Sequence, residues 1–191
     1  MPENSARVTL LERERVTPEA AAMYDVLLAE RGVVPNMFKV LAHTPRIAQG
    51  VVGFLKPLLS DGALSGWYKE LVAVRISTLH QSAYAIRAHA ASAKKKGAND
   101  AQISGVQDFE AGPYSEKEKQ GFRLADRLHR GPCEIDDAFF AELRQSFTEN
   151  EVIELFLTAA AFEMFPRFID GLHIPVTPLP AAAPAIKSAG S

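Results

Sequence analysis

From Pro18 onward the apolar residues of this chain recur at intervals of three and four, and no run alternates apolar with polar as a half-buried strand requires. Helices are the regular element this spacing supports, so the fold class is all-α. Thr17-Pro18 reads as an N-cap followed by a first-turn proline, and Ala20, Met23, Tyr24, Leu27 and Leu28 form a stripe that Gly32 ends. A short helix is expected from Asn36 to Ala42, between Pro35 and Pro45, and a third from Arg46 towards Leu59, kinked or shortened at Pro57. Ser65 caps a helix from Gly66 to about Thr78, and the next begins near Ser82 and stops at Gly97. Ser115-x-x-Glu118 and Thr148-x-x-Glu151 are capping boxes, with a shorter helix between them from Ile135 to Gln145. The last helix, Glu149 to about Met164, is apolar nearly all round, which predicts a central position or a subunit contact.

The ends of the chain have a different character. Residues 1–9 carry no periodicity and read as a loose arm, and residues 176–191, built from Pro, Ala, Ser and Gly, read as a flexible tail. One domain over 10–175 remains, and with 47% hydrophobic residues it can bury a core. Charge is nearly balanced, 21 Lys+Arg against 23 Asp+Glu, which offers nucleic acid no concentrated basic surface. The Lys94-Lys95-Lys96 run is expected to be solvated, its charge suiting the end of a helix. No apolar leader follows Met1 and no window approaches 18 uninterrupted apolar residues, so no membrane contact is expected and the expected location is cytoplasmic. Cys133 is the only cysteine, which excludes an intrachain disulfide, a CxxC pair and any cysteine-built metal cluster.

No Gly-rich phosphate loop, GxSxG elbow, HExxH or EF-hand loop occurs. Chemistry is instead concentrated on the hairpin formed by the helices before and after Gln81. Ser82, Ala85 and His89 are spaced i, i+3, i+7 and share a face, where two small residues leave room for a pocket. Glu70 lies on the partner helix and can meet His89; a carboxylate beside an imidazole fixes its tautomer and suits proton transfer near neutral pH.

These residues carry a resemblance. The pattern Glu-x11-Cys-x2-Cys-x3-His of the peroxidase branch of the alkylhydroperoxidase D-like and carboxymuconolactone decarboxylase-like proteins places its glutamate at Glu70, its cysteines at Ser82 and Ala85, and its histidine at His89. Val34-Pro35-Asn36 and Ala42-His43-Thr44-Pro45 resemble the lead-in of that family, and Ala159 to Arg167 its closing helix. The resemblance spans roughly residues 18–175 and implies a bundle of six to eight helices, assembled as a homo-oligomer, commonly a trimer or hexamer, with pockets near subunit contacts. In the peroxidase branch it implies a thiolate that attacks peroxide and a second cysteine that resolves the sulfenic acid.

Both thiols are absent here, and a serine hydroxyl cannot cycle through sulfenic acid and disulfide, so dithiol peroxidase turnover is excluded. A Ser82–His89 nucleophile pair is also disfavoured, because seven residues of helix separate the two by about 10.5 Å along the axis. The reading that remains is cofactor-free acid/base chemistry on a small organic acid or lactone, of the lyase, decarboxylase or isomerase kind, with Glu70 and His89 catalytic. The substrate contacts on this reading are Ser82, Ala85, His80, Tyr84, Glu163 and Arg167. His80 and Tyr84 share a face if the second helix starts early. A buried Glu163 needs a partner, which Arg75 or Arg167 can supply, and either arginine can instead hold a substrate carboxylate. Glu70, His80, His89 and Glu163 lack a local metal-ligand spacing, so no metal is expected. His43, His129 and His173 sit by turns or helix ends, where capping or solvent contact is the default. Two alternatives stay open: an oligomeric binding protein in which Glu70 and His89 are a structural remnant, and weak peroxidase-related activity.

Overall fold

The computed structural model describes residues 6–178, and the remainder of the expected arm (1–5) and tail (179–191) lies outside the described residues. Every regular element among the described residues is helical: α1 Pro18–Arg31, α2 Asn36–Leu41, α3 Pro45–Leu59, α4 Gly66–Leu79, α5 Ala83–Lys95, α6 Asp100–Gly105, α7 Glu116–Arg130, α8 Asp137–Ser146 and α9 Glu149–Gly171. The all-α class read from the apolar spacing is therefore what the chain adopts. The punctuation signals act where the sequence places them. Thr17 accepts from the Ala20 amide, Gly32 closes α1 with a left-handed φ of 71°, and both predicted capping boxes form, at Ser115/Glu118 and Thr148/Glu151.

Helix α4 is the axis of the bundle. It packs against α5, α7 and α9, and Leu71, Val72, Ala73 and Ile76 on it are fully buried. Burial on all sides leaves this segment without an amphipathic stripe. Two charged residues are buried with it. Lys69 donates to Glu154 Oε2 of α9 at 2.8 Å, and the same carboxylate accepts from the Ala63 and Leu64 amides, so the buried ammonium is paired. Glu70 is the second.

Four features differ from the sequence expectation. Helix α6 appears between α5 and α7, opened by an Asn99/Gln102 capping box, and brings the count to nine among the described residues. Pro57 lies inside α3 and Pro166 inside α9, and neither ends its helix; α9 runs through to Gly171. Helix α5 starts at Ala83, and His80 caps the end of α4, so His80 and Tyr84 do not lie on one helix. The chain ends are tied down where they are described. The Arg7 amide and guanidinium donate to the carbonyls of Leu172 and Gly171, and Thr177 bonds the Asn36 amide and the Tyr84 hydroxyl.

Candidate functional site

The α4–α5 hairpin brings Glu70 and His89 together. The connecting turn places Gln81 at a left-handed φ of 57°, and the Ser82 amide donates to the Ser77 carbonyl at 3.0 Å, which sets α5 back along α4. Oε2 of Glu70 is 2.6 Å from Nδ1 of His89. Its other oxygen, Oε1, accepts from the Ser92 hydroxyl at 2.6 Å and the Lys96 ammonium at 2.5 Å. Lys96 also donates to the Leu59 carbonyl, so it is a partner of the buried carboxylate and not a solvated helix-end charge as the sequence suggested. Burial alone would push the Glu70 carboxyl up, but the hydrogen bond and charge of His89, joined by those of Lys96, outweigh it and hold the group at about 2.

Access differs sharply between the two partners. The Glu70 side chain is 2% exposed and that of His89 is 16% exposed, so the imidazole is the member that reaches the surface. Phe162 of α9 packs its ring edge-to-face on the imidazole at 4.3 Å between centroids, and this contact together with the carboxylate fixes the ring's orientation. With Nδ1 turned to Glu70, Nε2 is the ring nitrogen left to take up a proton, which is the arrangement of a general base oriented by a buried acid.

Ser82, at the N-cap of α5, and Ala85 are buried two turns and one turn before His89. The Ser82 hydroxyl makes no capping bond and has no hydrogen-bond partner among the described residues. Tyr84 points elsewhere: its hydroxyl accepts from the Met37 amide at 3.1 Å and from Thr177. Arg75 forms a bidentate pair with Asp126, at 2.6 and 2.8 Å, and lies over the Phe109 ring. It therefore does not partner Glu163. Two clefts, of about 570 and 210 Å³, lie beside Arg75 and Arg123 and beside Tyr68 and Lys117, and neither is lined by Glu70 or His89.

Glu163 is satisfied by three partners. His80 Nε2 lies 2.8 Å from Oε2, His129 Nδ1 lies 2.7 Å from Oε1, and Arg167, one turn along α9, pairs with Oε2 at 2.7 Å. Burial raises this carboxyl, and the hydrogen bonds from His129 and His80 more than reverse the effect, so it sits below the usual carboxylate range. Sequence reasoning missed His129, Ser92 and Lys96. A signal existed for the last two, because Ser92 and Lys96 extend the Ser82, Ala85, His89 spacing by three and seven residues along the same face of α5. His129 carries no such local mark.

Residues 45–127 match the carboxymuconolactone decarboxylase family. No functionally curated protein matches the chain. Among solved structures, the chain is similar to an alkylhydroperoxidase AhpD core protein, peroxidase-related and uncharacterized, from Ralstonia eutropha JMP134, with a TM-score of 0.83 and 20% identity over 90% of this chain and 92% of that one. It is likewise similar to a peroxidase-related protein from Silicibacter sp. TM1040, at 0.82 and 18% identity over 91% and 92%. A third similar structure is the debrominase Bmp8 in complex with 2,3,4-tribromopyrrole, at 0.78 and 19% identity over 89% and 91%. At these identities the likeness is one of fold. The resemblance read from the Glu70 to His89 spacing thus holds, over 45–127 by family and over nine-tenths of the chain by architecture.

Proposed function

We propose, on the footing of that family match, that this chain is an acid/base enzyme of the carboxymuconolactone decarboxylase-like kind, a lyase, decarboxylase or isomerase acting on a small organic acid or lactone. The observation that carries the reading is the Glu70–His89 pair, a buried ionised carboxylate bonded to Nδ1 of an imidazole that reaches the surface. His89 Nε2 removes a proton from the substrate, Glu70 stabilises the imidazolium that forms, and the proton returns from Nε2 to the product, so the step needs no redox partner. Ser82 and Ala85 lie on the helix face that leads to the imidazole, and Arg167, with an exposed side chain, is the proposed anchor for an acid group.

A homo-oligomer is part of the proposal. Ile153, Leu157 and Met164 of α9 and Ile47 and Phe54 of α3 are large apolar side chains left exposed in the single chain. Such residues are normally covered when they cluster.

The test is a panel of carboxylated lactones and β-keto acids, followed by NMR in D2O so that proton abstraction is seen even without net conversion. 2,3,4-Tribromopyrrole is included because the debrominase of similar fold holds it. His89→Gln and Glu70→Gln are each expected to lower turnover by about 10²–10⁴-fold with the assembly intact. A parent protein that binds members of the panel but exchanges and converts none identifies a binding protein instead. Thiol-dependent peroxide consumption that is abolished by Cys133→Ser points to the peroxidase alternative.

A further inference from the structure

Two imidazoles and a carboxylate from three different helices converge at a place the Glu70–His89 chemistry does not use. His80 caps the C-terminal end of α4, His129 lies in the last turn of α7, and Glu163 belongs to α9. The two histidine rings meet edge-to-face, 4.7 Å between centroids, and each directs one nitrogen at a different oxygen of the same carboxylate. One donor atom from each residue lies within 4.8 Å of the other two. We propose that His80 Nε2, His129 Nδ1 and the Glu163 carboxylate form a site for a first-row divalent transition metal ion, of which Zn2+ is the reference, with at least one coordination position left for a small ligand. This goes beyond the acid/base reading and departs from the sequence expectation that no metal is held.

The donor chemistry selects the class of ion. Two neutral imidazoles and one carboxylate suit zinc, nickel, cobalt or ferrous iron, whereas calcium and magnesium require oxygen donors. Three protein ligands are the complement of sites that keep a position for water or a substrate oxygen; fully structural zinc sites have four. The side chains are 13%, 26% and 14% exposed for His80, His129 and Glu163, sheltered but within reach of solvent. Donors about 2.0–2.2 Å from a tetrahedral ion stand roughly 3.4 Å from one another. The 2.7 and 2.8 Å contacts therefore open by roughly 0.6–0.7 Å, within the compass of side-chain rotation. Each imidazole moves the proton it now donates onto its other ring nitrogen, and the metal takes the vacated lone pair.

One group competes with the ion. Arg167 places its guanidinium 2.7 Å from Glu163 Oε2, but its side chain is 60% exposed and attached by a flexible stem, so it can leave the carboxylate for water. This supplies a directional test. Chelator-treated, tag-free full-length protein is titrated with Zn2+ against a chromophoric competitor, and with Co2+ while its visible spectrum is recorded. The expected result is one ion per chain and the intense bands of low-coordinate cobalt. His129→Gln, His80→Gln and Glu163→Gln are each expected to weaken binding at least tenfold, Cys133→Ser to leave it unchanged, and Arg167→Ala to tighten it. Zn2+ is also expected to raise the melting temperature of the parent and not of His129→Gln. Absence of stoichiometric binding, a purely hexa-aquo cobalt spectrum, or binding that survives the histidine substitutions and disappears in Cys133→Ser overturns the site. Should one variant fail to fold, the cobalt spectrum of the parent and the remaining two variants decide.

Discussion

Replacing Glu70 by Gln tests the central pair through stability, without any knowledge of the substrate. The native carboxylate accepts three charge-assisted or short hydrogen bonds, from His89, Ser92 and Lys96. A glutamine of the same shape offers one acceptor oxygen. If that oxygen keeps Ser92 and Lys96, the amide nitrogen faces His89 Nδ1, and the imidazole must turn its proton to Nε2 to accept there. The general base is then lost although the side chain still fits. The stability cost follows from the position of the carboxyl, held at about 2 in the folded chain against an ordinary 4.5. At about 1.4 kcal/mol per tenfold change, ionised Glu70 contributes about 3 kcal/mol at pH 7, in line with the cost of breaking a buried pair. Because the folded carboxyl is depressed, this contribution is complete above about pH 4.5 and drains away as the pH falls towards 2. Urea unfolding followed by the fluorescence of Trp67, the only tryptophan, at one protein concentration gives the difference between parent and variant. That difference should be about 3 kcal/mol at pH 7 and about 1 kcal/mol at pH 3. An equal gap at both pH values refutes the assignment of Glu70 as a buried ionised carboxylate.

Three further outcomes follow from the packing. Lys96→Met, which strips one cationic partner from the buried Glu70 and frees the Leu59 carbonyl, should cost about 2–3 kcal/mol by urea unfolding, whereas Lys94→Met, which loses only an exposed pair with Asp100, should stay within about 0.5 kcal/mol. Ser82→Ala should be neutral or stabilising by up to about 1 kcal/mol, since the buried hydroxyl has no partner among the described residues to lose; a loss beyond that, by the same measurement, shows that the hydroxyl is bonded. Gly121→Ala should cost about 1–3 kcal/mol despite its better helix propensity, because the added methyl overlaps the buried Tyr68 hydroxyl that donates to the Glu118 carbonyl; an unchanged thermal midpoint contradicts that packing.

How much of this architecture is legible in the sequence depends on the range of the interaction that builds it. Thr17, Gly32, Ser115 with Glu118 and Thr148 with Glu151 are local devices, and each helix end they mark is found there. Helix α6 was missed because it is six residues long and contributes no fully buried side chain, so it leaves no apolar stripe to read. The two internal prolines are tolerated for a different reason. Pro57 and Pro166 remove one helical hydrogen bond each, but α3 and α9 are held by packing on both sides of the defect: Leu55, Leu58 and Leu59 in one, Phe165 and Ile169 in the other, are buried. Tertiary burial outweighs a propensity cost of about 3 kcal/mol when the helix has a buried face to keep.

The functional residues divide along the same line. Glu70 and His89 could be paired from sequence because a short hairpin turn forces their helices into contact, and the residues that complete the pair, Ser92 and Lys96, continue the His89 face in register. Lys96 was hidden by its neighbours: in a run of three lysines, periodicity along α5 is the only property that separates the one facing Glu70 from the two facing solvent. No rule of that kind reaches His129. It meets Glu163 only because α7 and α9 both pack on α4, so that a residue in the last turn of one lies beside the body of the other. The carboxylate itself gave the clue. An acidic side chain set in an apolar helix requires compensation, and Arg75 and Arg167 are the partners the sequence leads one to expect. One of them, Arg167, does pair with Glu163, yet the two hydrogen-bonding partners from other helices are neutral-capable imidazoles. Guanidinium partners alone would make this a structural ion pair. Imidazoles can give up their protons to a metal ion, and that difference in donor chemistry separates an ordinary buried carboxylate from a binding site.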